Sequence, residues 1–283
     1  MFDNTKLMET EEDSRGLSFL YENICGRVLL RCLTGKWLSD LAGKFLDSGL
    51  SRKIIPGFVS SNNIDLSQYE ECEYRNFNEF FSRRIKPELR PVDDKPEHLV
   101  SPCDGYLSVY KIEKGLVMPI KQSMYSVADL VRDEELAAEF DEGLCLVFRL
   151  CVHHYHRYGF ADSGRIVARK YIKGLYHTVR PIALRNVPVF KENSREYAVI
   201  ESDNFGKMIQ MEVGAMLVGK ISNHDIKEFK RDDEKGCFLY GGSTVVLMLK
   251  KNVVELPEWV YESADDKYEI PVIKGQALGK KIQ

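Results

Sequence analysis

The sequence predicts an α+β protein, with a helical N-terminal region followed by a largely antiparallel β domain. In residues 17–45 the apolar side chains recur at helical spacing. Beyond residue 96 the pattern changes to short runs rich in Val, Ile, Tyr and Phe, separated by Gly, Asp and Asn. Such runs are typical of strands joined by turns.

The first region is predicted to form two or more amphipathic helices, the second ending near Gly49. Their apolar stripes fit either the protein's own core or a membrane surface, because aromatic and basic residues alternate around them. The two uses can coexist. The stripes are Leu17, Leu20, Ile24 and Val28, and then Leu38, Leu41 and Phe45.

A further helix with an aromatic face is predicted from Asn76 to Ile85. Three prolines within the charged stretch 87–96 then interrupt the chain. We therefore expect a helical region over residues 1–96, which could associate with a membrane, and a second domain over residues 97–283.

The second domain should contain seven strands and one helix, Val127 to Phe140. The predicted strands are Tyr106 to Ile112, Leu144 to Val152, Ile166 to Ile172, Tyr197 to Glu201, Met208 to Val213, Ala215 to Ile221 and Val245 to Leu249.

Composition excludes several classes of function. A net charge of -3 over 283 residues gives no sign of a nucleic-acid surface. Seven cysteines without a CxxC pair predict neither a disulfide framework nor a zinc site, and they fit a reducing compartment. No apolar run reaches the roughly 18 residues of a membrane span, and the acidic start is unlike a signal peptide. Any membrane contact should therefore be peripheral.

The segment Gly242-Ser243-Thr244 combines a flexible backbone with a nucleophile. Glycine reaches backbone angles that other residues avoid, and the hydroxyl of Ser243 lies beside the carbonyl group of Gly242. The segment is either an ordinary turn before a strand or a bond at which the chain cuts itself.

Three histidines are candidates for acid–base chemistry. If the strand before them continued, His154 and His156 would share one face. A hydrogen-bonded strand end is the plainer alternative, and no spaced Cys/His/Asp set indicates a metal site. His177 lies in a later loop, and Asp104 in an Asp-Gly turn that needs no function of its own.

Taken in order, these motifs resemble the phosphatidylserine decarboxylase proenzyme family, which depends on a pyruvoyl group. The segment FNEFFSRR at residues 77–84 also resembles the family's entry into its catalytic region. The matching motifs are SPCDG at 101–105, YHR at 155–157, HTVRP at 177–181, ENSRE at 192–196, VGA at 213–215 and GSTV at 242–245.

The resemblance implies cleavage between Gly242 and Ser243. The Ser243 hydroxyl would attack the preceding carbonyl, and an N-to-O acyl shift would give an ester. β-Elimination would then leave a dehydroalanine that hydrolyses to a pyruvoyl group. Its ketone can form a Schiff base with a substrate amine and withdraw electrons as carbon dioxide departs, so no separate cofactor is needed.

The resemblance also implies roles for the candidate residues. Asp104 would be the carboxylate that orients the activating imidazole. In the family pattern Tyr-His-Arg-x-His, the first histidine is associated with decarboxylation and matches His156. The second, associated with self-cleavage, matches Gly159, which cannot transfer a proton. We therefore expect His177, and after it His154, to activate Ser243.

The expected activity is conversion of phosphatidylserine to phosphatidylethanolamine by the β catalytic domain. Two alternatives stay open: decarboxylation of a soluble amino acid, and an unprocessed relative that binds lipid without catalysis. The resemblance suggests phosphatidylserine in a membrane surface and the two cleavage fragments as partners, a homodimer, and a location on the cytoplasmic side of a membrane. No nucleic-acid partner is expected.

Overall fold

A computed structural model describes residues 8–9, 15–113, 116–120, 123–178, 181–215, 220–239, 243–264 and 268–282. It confirms the α+β class, because helices dominate the first part of the chain and antiparallel strands the second. The first helices are α1 (Arg15–Glu22), α2 (Ile24–Leu33), α3 (Lys36–Leu46), α4 (Ile55–Ser61) and α5 (Phe77–Phe81), with 3-10 turns at Gly49–Ile54, Leu66–Gln68 and Pro87–Leu89.

The later helices are short and lie between strands. They are α6 (Val127–Val131), α7 (Glu134–Ala138), α8 (Pro181–Asn186) and α9 (Val189–Glu192), with a 3-10 helix at Glu258–Ala264. The strands are β1 (Met8–Glu9), β2 (His98–Val100), β3 (Gly105–Glu113), β4 (Leu116–Ile120), β5 (Ser123–Ser126), β6 (Leu144–Leu150), β7 (Arg157–Gly159), β8 (Gly164–Ile172), β9 (Arg195–Ser202), β10 (Gly206–Val213), β11 (Ile221–Asn223), β12 (Glu228–Phe229), β13 (Glu234–Phe238), β14 (Ser243–Leu249), β15 (Val254–Glu255), β16 (Tyr268–Val272) and β17 (Ala277–Lys281).

Most strands form one large antiparallel sheet, in the order β1-β16-β3-β6-β14-β10-β9-β8-β12, with β4 beside β3 and β5 beside β4. Two smaller sheets have the orders β11-β13-β7 and β15-β17-β2. Strand β14 is central in the large sheet. Ser243 pairs with Leu150 of β6, and Thr244 pairs with Val213 of β10.

The large sheet is covered on both faces. Val246 and Met248 belong to one apolar core, and Val245 and Leu247 to the other, because successive side chains of a strand point in opposite directions. Tyr21 of α1 and Leu30 of α2 pack into the first core, and α1 contacts α8, whose Ile182 belongs to the same core. The domain boundary at residue 96 stays a prediction.

Helix α5 carries the predicted aromatic face, but it is shorter than predicted. The Asn76 side chain caps it by accepting a hydrogen bond of 2.9 Å from the Glu79 N–H. Phe77, Phe80 and Phe81 are buried in a third apolar cluster that also contains Tyr69 and Tyr155. This cluster joins the helical region to the segment that carries His156.

Other predicted element bounds were also wrong. Strand β6 ends at Leu150 instead of Val152. The helix predicted from residue 127 to 140 is two helices, because Arg132 adopts a left-handed φ of 51° and the Asp133 side chain caps a new helix. Helix α3 ends at Leu46, and Gly49 instead starts a 3-10 turn.

The strand predicted from residue 215 to 221 falls mainly on residues 216–219, which lie outside the described residues. Ala215 and Lys220 are not in a strand, and Ile221 begins β11. Over the described residues, none of the helices has the length and apolar character that crossing a bilayer requires.

Candidate active site

Ser243 is the first residue of β14, and its side chain is fully buried. Gly242, the other residue of the predicted cleavage site, lies outside the described residues. The Oγ atom of Ser243 lies 3.3 Å from Nδ1 of His156. The structure thus brings the predicted nucleophile within hydrogen-bonding distance of an imidazole.

His156 reaches Ser243 because the chain turns sharply after β6. The Cys151 carbonyl oxygen accepts a hydrogen bond of 2.9 Å from Nε2 of His156. A carbonyl oxygen can only accept, so Nε2 carries the proton and Nδ1 has a free lone pair. Nδ1 can therefore accept the hydroxyl proton of Ser243, which is the tautomer that a general base needs.

The imidazole of His156 lies in an apolar setting. The Phe81 ring is tilted over it, with the two ring centroids 4.2 Å apart. Burial lowers the pKa of His156 to about 3, and the positive charge of Arg83 also lowers it. The hydrogen bond to Cys151 acts in the opposite direction. His156 is therefore neutral at physiological pH.

This lowered pKa predicts how self-cleavage depends on pH. An ordinary histidine, with a pKa of about 6.5, would be roughly 90% protonated at pH 5.5 and would lose about tenfold in rate. His156 has a lower pKa and keeps its lone pair as the pH falls. We expect the rate of precursor cleavage to change less than about twofold between pH 7.5 and 5.5. Freshly synthesised chains can be moved into each buffer and their fragments followed on denaturing gels; a tenfold fall would contradict the prediction.

His154 does not share a strand face with His156, and that prediction was wrong. The two histidines are not on one strand because β6 ends at Leu150, and residues 152–154 then form a turn. Nδ1 of His154 accepts a hydrogen bond of 2.8 Å from the Cys151 N–H, which closes this turn. Burial lowers the pKa of His154 well below its usual value.

His177 lies in a different environment. Nδ1 is 3.4 Å from the hydroxyl of Tyr21 in α1, and Nε2 is 3.3 Å from a carboxylate oxygen of Glu192. Its backbone N–H donates to the Asn193 side chain at 2.8 Å. Burial lowers its pKa to about 4. Among the described contacts of His177, none is with Ser243.

Asp104 is almost completely buried and is bound by an arginine instead of a histidine. Its carboxylate accepts two hydrogen bonds from the Arg90 guanidinium, one of them 2.8 Å long from Nε, and one of 2.9 Å from the Lys274 backbone N–H. Asp104 and His154 line a common cavity of about 430 Å³ at the junction with the helical region. The cavity wall also includes Arg90, Tyr69, Tyr155 and His153.

Gly159 has no room for a side chain. A Cβ atom at this position would lie 2.8 Å from the carbonyl oxygen of Asp232 and 3.0 Å from that of Asp233. Both neighbours are backbone atoms, which cannot rotate away. A histidine at position 159 would therefore require the turn before β13 to move.

Sequence reasoning missed two features beside the site. Arg90 binds Asp104, but the two residues are separated along the chain and no local pattern links them. Glu212 and Lys235 form a buried ion pair near the start of β14. Polar residues at 210 and 212 alternate with apolar ones in the run 208–213, and this alternation could have marked them as sharing one face.

Comparison with known proteins agrees with the family resemblance seen in the sequence. A family model described as phosphatidylserine decarboxylase matches residues 77–280. Phosphatidylserine decarboxylase proenzyme 2 of Clostridium acetobutylicum is 44% identical over 265 residues, covering 93% of this chain and 91% of that protein. The proenzymes of Clostridium perfringens and Ruminiclostridium cellulolyticum are 40% and 39% identical, and each alignment covers 98% of this chain and at least 96% of the relative.

Proposed function

Because the chain belongs to the phosphatidylserine decarboxylase family, we propose that it is a precursor that cuts itself between Gly242 and Ser243 and then releases carbon dioxide from phosphatidylserine. The observation that carries this proposal is the 3.3 Å approach of His156 Nδ1 to Ser243 Oγ. A serine hydroxyl is a weak nucleophile until a base removes its proton. The family is one of decarboxylases, and we infer the processing steps and the lipid substrate.

In the first step, His156 takes the Ser243 hydroxyl proton as Oγ attacks the carbonyl carbon of Gly242. The bond from that carbon to the Ser243 nitrogen then breaks, and His156 returns the proton to the nitrogen. Its low pKa favours this return. The product is an ester between Gly242 and the Ser243 side chain.

The geometry supports a different division of roles from the one expected from sequence. We propose that the carbonyl group of Cys151 orients His156, a role that the family resemblance implied for Asp104. We propose that Asp104, held by Arg90, shapes the neighbouring cavity. His154 would hold the turn, and His177 would hold α1 through Tyr21.

The chain's own residues fit a pyruvoyl group made from Ser243. Ser243 is buried at the start of a central strand, paired with Leu150 and next to a neutral imidazole. Once formed, the group would supply a ketone that binds the substrate amine and withdraws electrons as carbon dioxide leaves. The two fragments should stay associated, because β14 is hydrogen-bonded to β6 and β10 of the other fragment.

An exposed apolar surface on the first helices is our proposed membrane contact. Ile24 is 75% and Val28 63% exposed in α2, and Phe45 is 48% exposed in α3. The side chains of Arg27 and Lys44 are exposed beside them. Apolar side chains with cations beside them suit a peripheral helix on a bilayer that contains anionic lipid.

The double substitution Ile24→Asp with Val28→Asp should therefore abolish binding to phosphatidylserine vesicles. Self-cleavage should be unchanged, because both side chains are exposed on α2 whereas Ser243 is buried. Co-sedimentation with vesicles measures binding, and a denaturing gel measures cleavage. Val167→Asp is a matched control, because Val167 is 46% exposed on β8 and outside this surface. Unchanged sedimentation of the double variant would exclude the surface as the membrane contact.

The activity itself is tested by release of carbon dioxide. Purified protein is given phosphatidylserine vesicles, soluble glycerophosphoserine or free serine, each labelled in the carboxyl group. We expect release from the vesicles. Release from free serine alone would favour the soluble amino acid as substrate, and no release from any of them would favour a non-catalytic relative.

A further inference from the structure

A buried ion pair lies on the face of the large sheet that carries the Ser243 side chain. Nζ of Lys235 is 2.5 Å from Oε2 of Glu212, and the Asn223 amide donates to the same oxygen at 3.1 Å. The Tyr158 hydroxyl in turn donates to the Asn223 side-chain oxygen at 2.9 Å. Glu212 is fully buried, and Lys235 is 3% exposed.

The second carboxylate oxygen of Glu212 lacks a hydrogen-bond partner within the part of the chain that the structure describes. Oε1 is buried, and no hydrogen-bond donor reaches it among the described residues. A buried acceptor without a donor is costly, and a buried ion pair is weak evidence for stability because both charges lose their hydration. The arrangement therefore calls for a functional explanation.

The strand register places this oxygen near the reactive serine. Glu212 of β10 lies directly opposite Val245 of β14, and Ser243 is two residues further along the same face. Such diagonal neighbours have Cα atoms about 7–8 Å apart, within reach of a long side chain. Lys235 lies on β13, the strand that leads into the segment before Ser243.

The second stage of self-processing needs a base at a different atom from the first. After the ester has formed, the α-proton of Ser243 must leave as the ester oxygen departs from Cβ. Nδ1 of His156 lies 3.3 Å from Oγ, the oxygen that departs, so this imidazole serves that atom and a second base is needed at the α-proton.

We propose that Glu212 is the base that removes the α-proton of Ser243; this rests on the self-cleavage proposed above. The Cα–H bond breaks and its electrons form the Cα=Cβ bond. The Cβ–Oγ bond breaks, and Gly242 leaves as a carboxylate. Oε1 of Glu212 receives the proton, and water then hydrolyses the dehydroalanine, with loss of ammonia, to the pyruvoyl group. Lys235 and Asn223 hold the other oxygen and position the carboxylate.

The chemistry of Glu212 suits this role. Burial raises the pKa of the Glu212 carboxyl, although Lys235 and Asn223 oppose the change. A carboxylate with a raised pKa is a stronger base than an exposed one. The ion pair with Lys235 still favours the ionised form that accepts a proton.

The test uses Glu212→Gln in the full chain, which keeps the shape but removes the basic carboxylate. We expect the pyruvoyl-bearing fragment to form about 100-fold more slowly or worse. The ester should then accumulate, and hydroxylamine should split it into an N-terminal fragment ending in a hydroxamate and a C-terminal fragment beginning with unmodified Ser243. Mass spectrometry distinguishes these products from the wild-type ones.

Because Glu212→Gln leaves Lys235 buried without its counter-charge, the double variant Glu212→Gln with Lys235→Met is measured beside it. Gln210→Met is the matched control, since Gln210 lies on the same face of β10 but pairs with Leu247, further from Ser243; it should form pyruvoyl normally. Formation of pyruvoyl at the wild-type rate in either Glu212 variant would overturn the proposal. The proposal would also be overturned if the chains of both variants remained uncut and resisted hydroxylamine. A wild-type chain that never cleaves would instead refute the proposed function itself.

Discussion

Ser243→Ala is expected to leave every chain uncut. The substitution removes the only atom of residue 243 that can attack the preceding carbonyl, so the effect is all or none. The fold should persist, because alanine keeps the Cβ atom of the buried serine side chain and lacks only its hydroxyl group. Denaturing gels and intact mass would show one chain of full length. Carbon dioxide release from phosphatidylserine vesicles should also be absent, since no pyruvoyl group could form.

Thr244→Val is the matched control for this prediction. Thr244 is the next residue of β14, fully buried on the opposite face of the sheet, and its hydroxyl oxygen has no hydrogen-bond partner among the described residues. Valine has the same shape, so cleavage should continue at the normal rate. Cleavage of the Ser243→Ala chain at the same bond would show that another residue supplies the nucleophile.

His156→Ala has the second largest expected effect. The substitution removes the imidazole whose Nδ1 lies 3.3 Å from Ser243 Oγ. General bases contribute about 100-fold to 10,000-fold, so cleavage should slow by that range. Because alanine leaves a space beside Phe81, added imidazole should partly restore the rate. A time course of fragment formation, with and without imidazole, measures both effects.

His177→Ala and His154→Ala distinguish this account from the expectation based on sequence. Both residues lie in contacts that hold backbone segments and not at Ser243, so their substitution should slow cleavage by less than about tenfold. Normal cleavage of His156→Ala together with blocked cleavage of His177→Ala would restore His177 as the base for Ser243.

Local patterns predicted much of the fold. Short apolar runs marked β6, β10 and β14, because strands that are covered on both faces carry apolar side chains on both sides. The end of β6 was missed, since Cys151 and Val152 continue the apolar run although the backbone there has already turned. The break at Arg132 was missed for a related reason, because its surroundings still show the spacing of one helix.

The candidate site was predicted only in part. The ordered motifs identified Ser243 and His156, but not that they touch, because they are 87 residues apart. The contact depends on how β14 and the turn after β6 meet. Likewise, the Asp-Gly turn drew attention to Asp104 in the sequence, whereas its partner Arg90 is identified only from the tertiary structure. At Gly159 the family resemblance indicated a missing histidine. In the structure, backbone atoms occupy the space that a side chain at this position would need.

Intact mass of the denatured wild-type protein is the decisive measurement for cleavage between Gly242 and Ser243. We expect two fragments, one ending at Gly242 and one derived from residues 243–283. The second should be lighter by one ammonia than a peptide that begins with serine, and it should resist Edman degradation because pyruvoyl has no amine. A single chain of full length under all conditions, or a second fragment beginning with unmodified Ser243, would contradict it.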